Sequence, residues 1–404
     1  MANEQSSLTQ KILSNPLDFS LVLGGFLFQF FRRAHLTGNA GQLLRRRIIA
    51  ITLIAWLPLL TLSVISGNSW GESVQLPFLI DIEMHIRFLI ALPLLVFAEL
   101  IVHQRLRPLV TLFIERGLIP PHSREQFDKA IESAMRLRNS VVIELLLIAV
   151  VYVFGILFIW RTQIALDISS WYALELNGQR HLTPAGWWLS LISLPLFQFL
   201  LLRWYFRLFI WTRFLWQVSK IPLSLIPTNP DRACGLGFLT EVCYVFLPLL
   251  VAQGVLLAGM LCERIFFKAA TLSEFKTEIV GMVVLILVSI LGPLLVFMPQ
   301  LLVAKREGLQ EYGTLAEGYV REFDLKWLHP KVLTAEPFIG SNDIQSLADL
   351  STSFDIIKGV RPFPFNLQNV IYLCVFTLLP VAPLLLTMFS VEDLLLKILK
   401  ILFS

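Results

Sequence analysis

The strongest constraint on this chain is the recurrence of uncharged apolar stretches long enough to cross a bilayer. Ile48 to Ile65, Val242 to Cys262, Ile279 to Val303 and Val370 to Ser390 contain no Asp, Glu, Lys or Arg. A crossing needs about 20 such residues, and lipid offers no water to backbone polar groups, so each stretch must close its own hydrogen bonds as a helix. With 56% hydrophobic and 15% charged residues, the composition excludes an ordinary soluble globular domain. The expected fold class is an all-α integral membrane protein: a bundle of about seven transmembrane helices with a small helical cytoplasmic region.

Residues 1–47 read as a cytoplasmic N-terminal segment without a cleavable signal, in which Pro16 to Phe31 forms an interfacial helix. That stretch is short for a span and carries Asp18; if it crosses, it adds an eighth span and moves the N-terminus outside. Residues 48–216 form a first block of four spans: Ile48 to Ile65, Arg87 to Val102, Val141 to Trp160, and Trp187 to Leu202 with an aromatic extension to Trp216. The basic loop 104–140 places its side of the membrane in the cytoplasm, whereas Ser66 to Ile86 has no Lys or Arg and reads as outside. Ser123 is a candidate helix cap, and no Pro or Gly interrupts the chain from there until Gly155, so one helix is expected to run from the loop into the third span.

Residues 217–241 are a cytoplasmic hinge, the densest cluster of turn formers between two apolar blocks, and Asp231 can cap the helix after it. Residues 242–303 form a transmembrane hairpin. Residues 304–369 form a cytoplasmic helical region with an amphipathic helix on Leu309, Tyr312, Leu315, Tyr319 and Phe323 and a second helix from Ser341 closed by Gly359. Residues 370–390 are the last span, and 391–404 an interfacial C-terminal helix. This topology puts the N-terminus inside and the C-terminus outside.

Three groups of residues are candidate sites. Glu99, Glu144, Arg203 and Arg207 fall at one depth, in the cytoplasmic third of the bilayer. Ionisable groups there are costly and face the bundle interior, water or one another. A charged constriction or proton and ion relay is the functional reading; an interhelical ion pair with arginines snorkelling to lipid phosphates is the structural one. Asp81, Glu83, His85 and Arg87 stand at the outer mouth of the second span, as a cation vestibule or a solvated helix start; the Asp81 and His85 pair is too few ligands for a metal. In the hinge, Asp231, Arg232, Gly235 and Gly237 form an anion site for a phosphate or lipid headgroup, or simply a tight connector; no P-loop Lys comes after the glycines.

The four cysteines form no CxxC and no zinc spacing, and no HExxH or GxSxG occurs, so neither a catalytic residue, a metal nor a cofactor is expected. Gly254 and Ala258 supply a small-xxx-small contact for association of copies. The basic residues form no aromatic groove, and no nucleic-acid partner is expected.

Pro227-Thr-Asn-Pro-Asp-Arg-Ala-Cys-Gly-Leu-Gly-Phe238, Pro77-Phe-Leu-Ile-Asp-Ile-Glu-Met-His-Ile-Arg-Phe88, Glu311-Tyr-Gly-Thr-Leu315 and Asp343-Ile-Gln-Ser-Leu-Ala-Asp-Leu350 carry a resemblance. On these strings the chain resembles, over nearly its whole length, a family of proteobacterial polytopic inner-membrane proteins with no activity assigned. The resemblance implies a bacterial inner membrane and carries over no site residue. The expected function is a channel or transporter for ions or small solutes, with membrane lipids and further copies of itself as partners. The alternative is a non-catalytic assembly, lipid-binding or signalling factor that docks a cytoplasmic partner.

Overall fold

The structure, a computed structural model, describes residues 19–22, 40–71, 74–162, 169–176, 179–268, 270–329 and 342–388. Its main helices are α1 (Ala40–Ile65), α2 (Ile82–Glu115), α3 (Arg124–Arg138), α4 (Val141–Thr162), α5 (Pro184–Val218), α6 (Leu247–Lys268), α7 (Lys276–Leu291), α8 (Met298–Phe323), α9 (Asn342–Lys358) and α10 (Leu367–Leu378). Among the described residues, six helical runs are long and apolar enough to cross a membrane: Leu44–Ile65, Ile82–Glu115, Pro184–Val218, Leu247–Phe267, Leu272–Leu328 and Leu367–Thr387. The chain is thus of the all-α, multi-pass membrane class. The expected third span coincides with α4, a helix of 22 residues.

α2 is central, packing against α1, α5 and α6; α6 in turn packs against α10, and α4 lies on the outside of α5. Three tryptophans fix the interior. Trp204 on α5 donates to the Leu95 carbonyl of α2 at 3.0 Å, and Trp211 and Trp171 are fully buried. The outward faces of α1, α4 and α7 expose Leu53, Ile54, Val142, Leu146, Val284 and Val288, as helices solvated by lipid require.

Prolines shape the helices without stopping them. A proline removes one backbone donor and clashes with the carbonyl four residues back. The chain accommodates this by widening to a π turn at Ile86–Ala91 before Pro93 and at Leu189–Ser193 before Pro195. It tightens to a 3-10 turn at Gly292–Phe297 around Pro293 and at Leu379–Met388 around Pro380 and Pro383.

Several boundaries differ from the sequence reading. α2 starts at Ile82 rather than Arg87 and runs to Glu115, well past Val102, because Asp81 caps it and its far half packs on protein. The expected single helix through residues 123–160 is broken at Asn139–Ser140, where Asn139 leaves the helical region at φ −88° and ψ 3°. This break lets polar α3 fold against the lower half of α5. Ser123 is buried in a 3-10 turn and makes no side-chain cap. The amphipathic helix expected within 304–369 is the continuation of the span before it, as α8 passes residue 304 without a break. α9 does end at Gly359, whose N–H reaches the Asp355 carbonyl at 2.9 Å, and Asn366 and Asn369 cap α10 reciprocally.

Two strands, β1 (Ala173–Leu176) and β2 (Gln179–Leu182), form an antiparallel hairpin that a purely helical reading does not contain. The interfacial helix assigned to Pro16 to Phe31 lies outside the described residues except for Phe19 to Val22. Those four are not helical and are buried, with Phe19 packed on Trp211 and Phe214. The C-terminal interfacial helix, 391–404, lies wholly outside the described residues.

Candidate functional site: an arginine and carboxylate cluster

Glu99 is the centre of the cluster. Its place on the buried face of α2 follows from the run Leu92, Leu95, Val96, Glu99, Val102 and Leu106, which recurs at helical spacing and is buried throughout. Arg207 Nη2 donates to Glu99 Oε1 at 2.7 Å, and Arg47 Nη2 donates to Oε2, also at 2.7 Å. Arg203, one turn before Arg207 on α5, stands between two carboxylates, 3.7 Å from Glu99 Oε1 and 3.8 Å from Glu144 Oε1. The structure therefore brings Glu99, Glu144, Arg203 and Arg207 together, joining α1, α2, α4 and α5. The Arg207 guanidinium also lies 4.7 Å from the Trp204 ring centre.

Arg47 is the member that sequence reasoning missed. It stands in the triplet Arg45-Arg46-Arg47, which reads as a topology signal, and nothing in the sequence separates the one arginine that turns inward. A second arc surrounds the cluster. One turn along α2 from Glu99, His103 Nδ1 lies 2.9 Å from Ser20 Oγ, and Arg138 at the end of α3 donates to the Ser20 carbonyl. Burial, with the like charge of Arg203 beside it, pushes the Arg138 guanidinium down to about 10.

Asp81, Glu83, His85 and Arg87 gather at the other end of α2, but not as a solvated helix start. Asp81 is buried, accepting from Met84 N and from Trp171 Nε1, each at 2.9 Å. Its burial raises its pKa despite both bonds. His85 Nδ1 accepts from Trp56 Nε1 at 3.0 Å, and Glu83 pairs with Arg87 one turn on. A carboxyl missed in the sequence, Glu263 of α6, meets the Glu83 side chain across the helix interface. Among the described residues no three His, Cys, Asp or Glu side chains are grouped as metal ligands.

The hinge amides have a ligand within the chain. Asp231 Oδ1 accepts from Ala233 N at 2.8 Å and Gly235 N at 3.1 Å, and Oδ2 accepts from Gly237 N at 2.8 Å. The donors that a phosphate would need are thus taken by Asp231, and the arrangement is a connector. Gly237 must be glycine, since a Cβ there would meet Asp231 Cβ at 2.8 Å. Arg232, Cys234 and Gly235 adopt φ of 53°, 54° and 98° to make the turn. Arg361 clasps it, donating its Nη2 to the Asp231 carbonyl and its N–H to the Arg232 carbonyl, both at 2.9 Å.

No protein-family model, curated protein or solved structure matches the chain. Function is therefore argued from the geometry. Charges at this burial, held by good hydrogen bonds on four separate helices, lock those helices together or meet a charge that passes between them.

Proposed function

We propose that the protein is a membrane channel or transporter for ions or small solutes, with Glu99, Glu144, Arg203 and Arg207 on its path. The observation that carries this reading is the buried cluster itself, where Glu99 and Arg207 are 4% and 2% exposed. Replacing a buried ion pair by apolar side chains is often neutral or stabilising, so stability alone is a weak reason to keep one there. α4 is counted as the seventh span, with the N-terminus inside, on the strength of the basic residues in loop 104–140 and in 304–369. The motif strings at Pro77 to Phe88 and Pro227 to Phe238 support a bacterial inner-membrane location and family. No catalytic chemistry is assigned. The segment after α9 sits on the hinge through Arg361 and is tied to α8 by Lys305, whose Nζ donates to the Val360 carbonyl at 2.8 Å, and the α8–α9 region serves as the gate.

A docking role for a cytoplasmic partner is the second reading, supported by the exposed Leu315, Val320, Leu325 and Leu328 along the end of the α8 run. The two separate in liposomes holding purified protein under salt and pH gradients. Flux in the wild type, lost in Glu99→Gln and Arg203→Gln with an unchanged elution profile, is the expected result. Absence of flux under every gradient sinks the transport reading.

A further inference from the structure

We propose that Glu83 on α2 and Glu263 on α6 form a proton-dependent latch: one proton shared between their carboxyls ties the two helices at the end of α2 away from Glu99, and its loss releases them. The latch acts whether or not a solute crosses the bundle. The two helices meet at Ile86 and Gly259, where a Cβ built on Gly259 would lie 3.1 Å from Ile86 Cγ2. Glu83 stands one turn before Ile86 and Glu263 one turn after Gly259, so in an antiparallel crossing both fall on the facing surfaces, one turn beyond the contact. There the two carboxyls hydrogen-bond to each other. A carboxylate has no donor of its own, so this bond requires a proton on one partner, the arrangement of paired acids that hold one proton between them.

The neighbouring charges favour a shared proton. On α2, Arg87 donates to Glu83 and lies 5.9 Å from the ring centre of Phe197 on α5. Asp81 is occupied by Met84 N and Trp171 Nε1, and His85 by Trp56 Nε1 of α1. On α6, exposed Arg264 lies over the Phe275 ring, 5.6 Å from its centre, and reaches Glu83 through its charge. Tyr172, just before β1, is close enough to feel Asp81, Glu83 and Glu263. Leu272–Phe275, packed on α6, brings Glu274, which accepts from Thr271 N, and Leu379–Met388 on another side of α6 contains no ionisable residue. Among the described residues the guanidinium bonded to the pair is that of Arg87. Two carboxylates there would leave a negative charge beside apolar helices, which one proton removes. The side chains of Glu83 and Arg87 are 21% and 18% exposed, so the pair lies at the edge of the bundle, where its proton can exchange.

The test follows the full-length protein in nanodiscs by infrared spectroscopy and by thermal unfolding across pH. At a pH where the wild type carries a protonated-carboxyl band, Glu83→Gln and Glu263→Gln are each expected to lose the part of that band that Asp81→Asn keeps. Unfolding reads the latch itself. Glutamine at position 263 can donate to the Glu83 carboxylate at any pH, whereas the native pair has a donor only while the proton is held. The latch therefore contributes below the pH at which the proton leaves and is lost above it. As the pH rises through the loss of the band, the wild type is expected to melt progressively lower relative to Glu263→Gln. Should Glu263→Gln fail to fold, Glu83→Gln provides the same comparison from the other helix. A packing role alone would offset wild type and variant by the same amount at every pH. Absence of the band in the wild type, a band that neither glutamine variant reduces, or a melting difference independent of pH overturns the proposal.

Discussion

A Cβ built on Gly254 would lie 2.1 Å from the Thr377 carbonyl oxygen, so α6 and α10 cross there with room for a hydrogen atom and nothing larger. The small-xxx-small pair Gly254 and Ala258 is thereby used inside one chain, with Ala258 buried in the same seam. Gly254→Ala is expected to cost about 1–3 kcal/mol through forced separation of the helices. Thermal unfolding in detergent measures the loss. An unchanged melting temperature together with an altered oligomer distribution would instead assign Gly254 to contacts between copies.

The Glu99 carboxylate holds two guanidiniums, and its loss leaves them buried without it. Glu99→Gln is expected to destabilise the protein by about 3–5 kcal/mol, the range for breaking a buried pair from one side. Adding Arg207→Met removes one stranded charge and should recover part of that loss. Denaturant titrations of the two single variants and the double variant provide the comparison. A loss in the double variant equal to the sum of the two single losses would show that Arg207 and Glu99 are not coupled.

Helical runs were legible in the sequence because lipid leaves the backbone one local solution, and uncharged stretches such as Ile279 to Val303 mark it. The meeting of Glu99, Glu144, Arg203 and Arg207 was legible from the helical rise along their separate helices. Contacts set by distant segments were not. Burial of Asp81 depends on Trp171, ninety positions away along the chain, and the inward turn of Arg47 depends on Glu99. Filling of the hinge amides by Asp231 depends on a turn with two non-glycine residues at positive φ, which residue type does not announce. For the hairpin the sequence does carry a local signal, since Asn177-Gly178 stands between its strands and such a pair favours a two-residue turn.

Cys234 reports on the hinge. It is fully buried, and burial first, with the charge of Asp231 second, pushes its thiol up to about 11. A raised thiol pKa contributes stability that is complete below the ordinary value of 9.0 and fades as pH rises through about 11. In a variant keeping Cys234 as its one cysteine, maleimide labelling is therefore expected to stay slow between about pH 7 and 8.5. Arg361→Ala removes the side-chain bond to the Asp231 carbonyl, worth about 1.5–3 kcal/mol as a charged hydrogen bond, and should speed labelling about tenfold or more. Equal rates with and without Arg361 would show that the clasp does not hold the hinge shut.

Asp343 ties the start of α9 to the end of the α8 run. Its Oδ2 accepts from Lys326 Nζ at 2.8 Å and Trp327 Nε1 at 3.0 Å, while its carbonyl accepts from the Tyr319 hydroxyl at 2.9 Å. The Lys326 bond first, then that of Trp327, holds the carboxyl below its usual 3.8. The tie therefore contributes above pH 3.8 and is lost as pH falls through the lower folded value. Asp343→Asn at neutral pH removes the charge but leaves the carbonyl acceptor for Tyr319, so α9 should loosen without unfolding. Hydrogen exchange is expected to accelerate across 342–358 in Asp343→Asn, and further when Tyr319→Phe is added, with α2 and α5 unchanged. In liposomes the same variants should alter the rate of flux and leave its selectivity intact if α8–α9 is the gate. Faster exchange in α9 with flux unchanged would separate this arm from the path and favour its use as a docking surface.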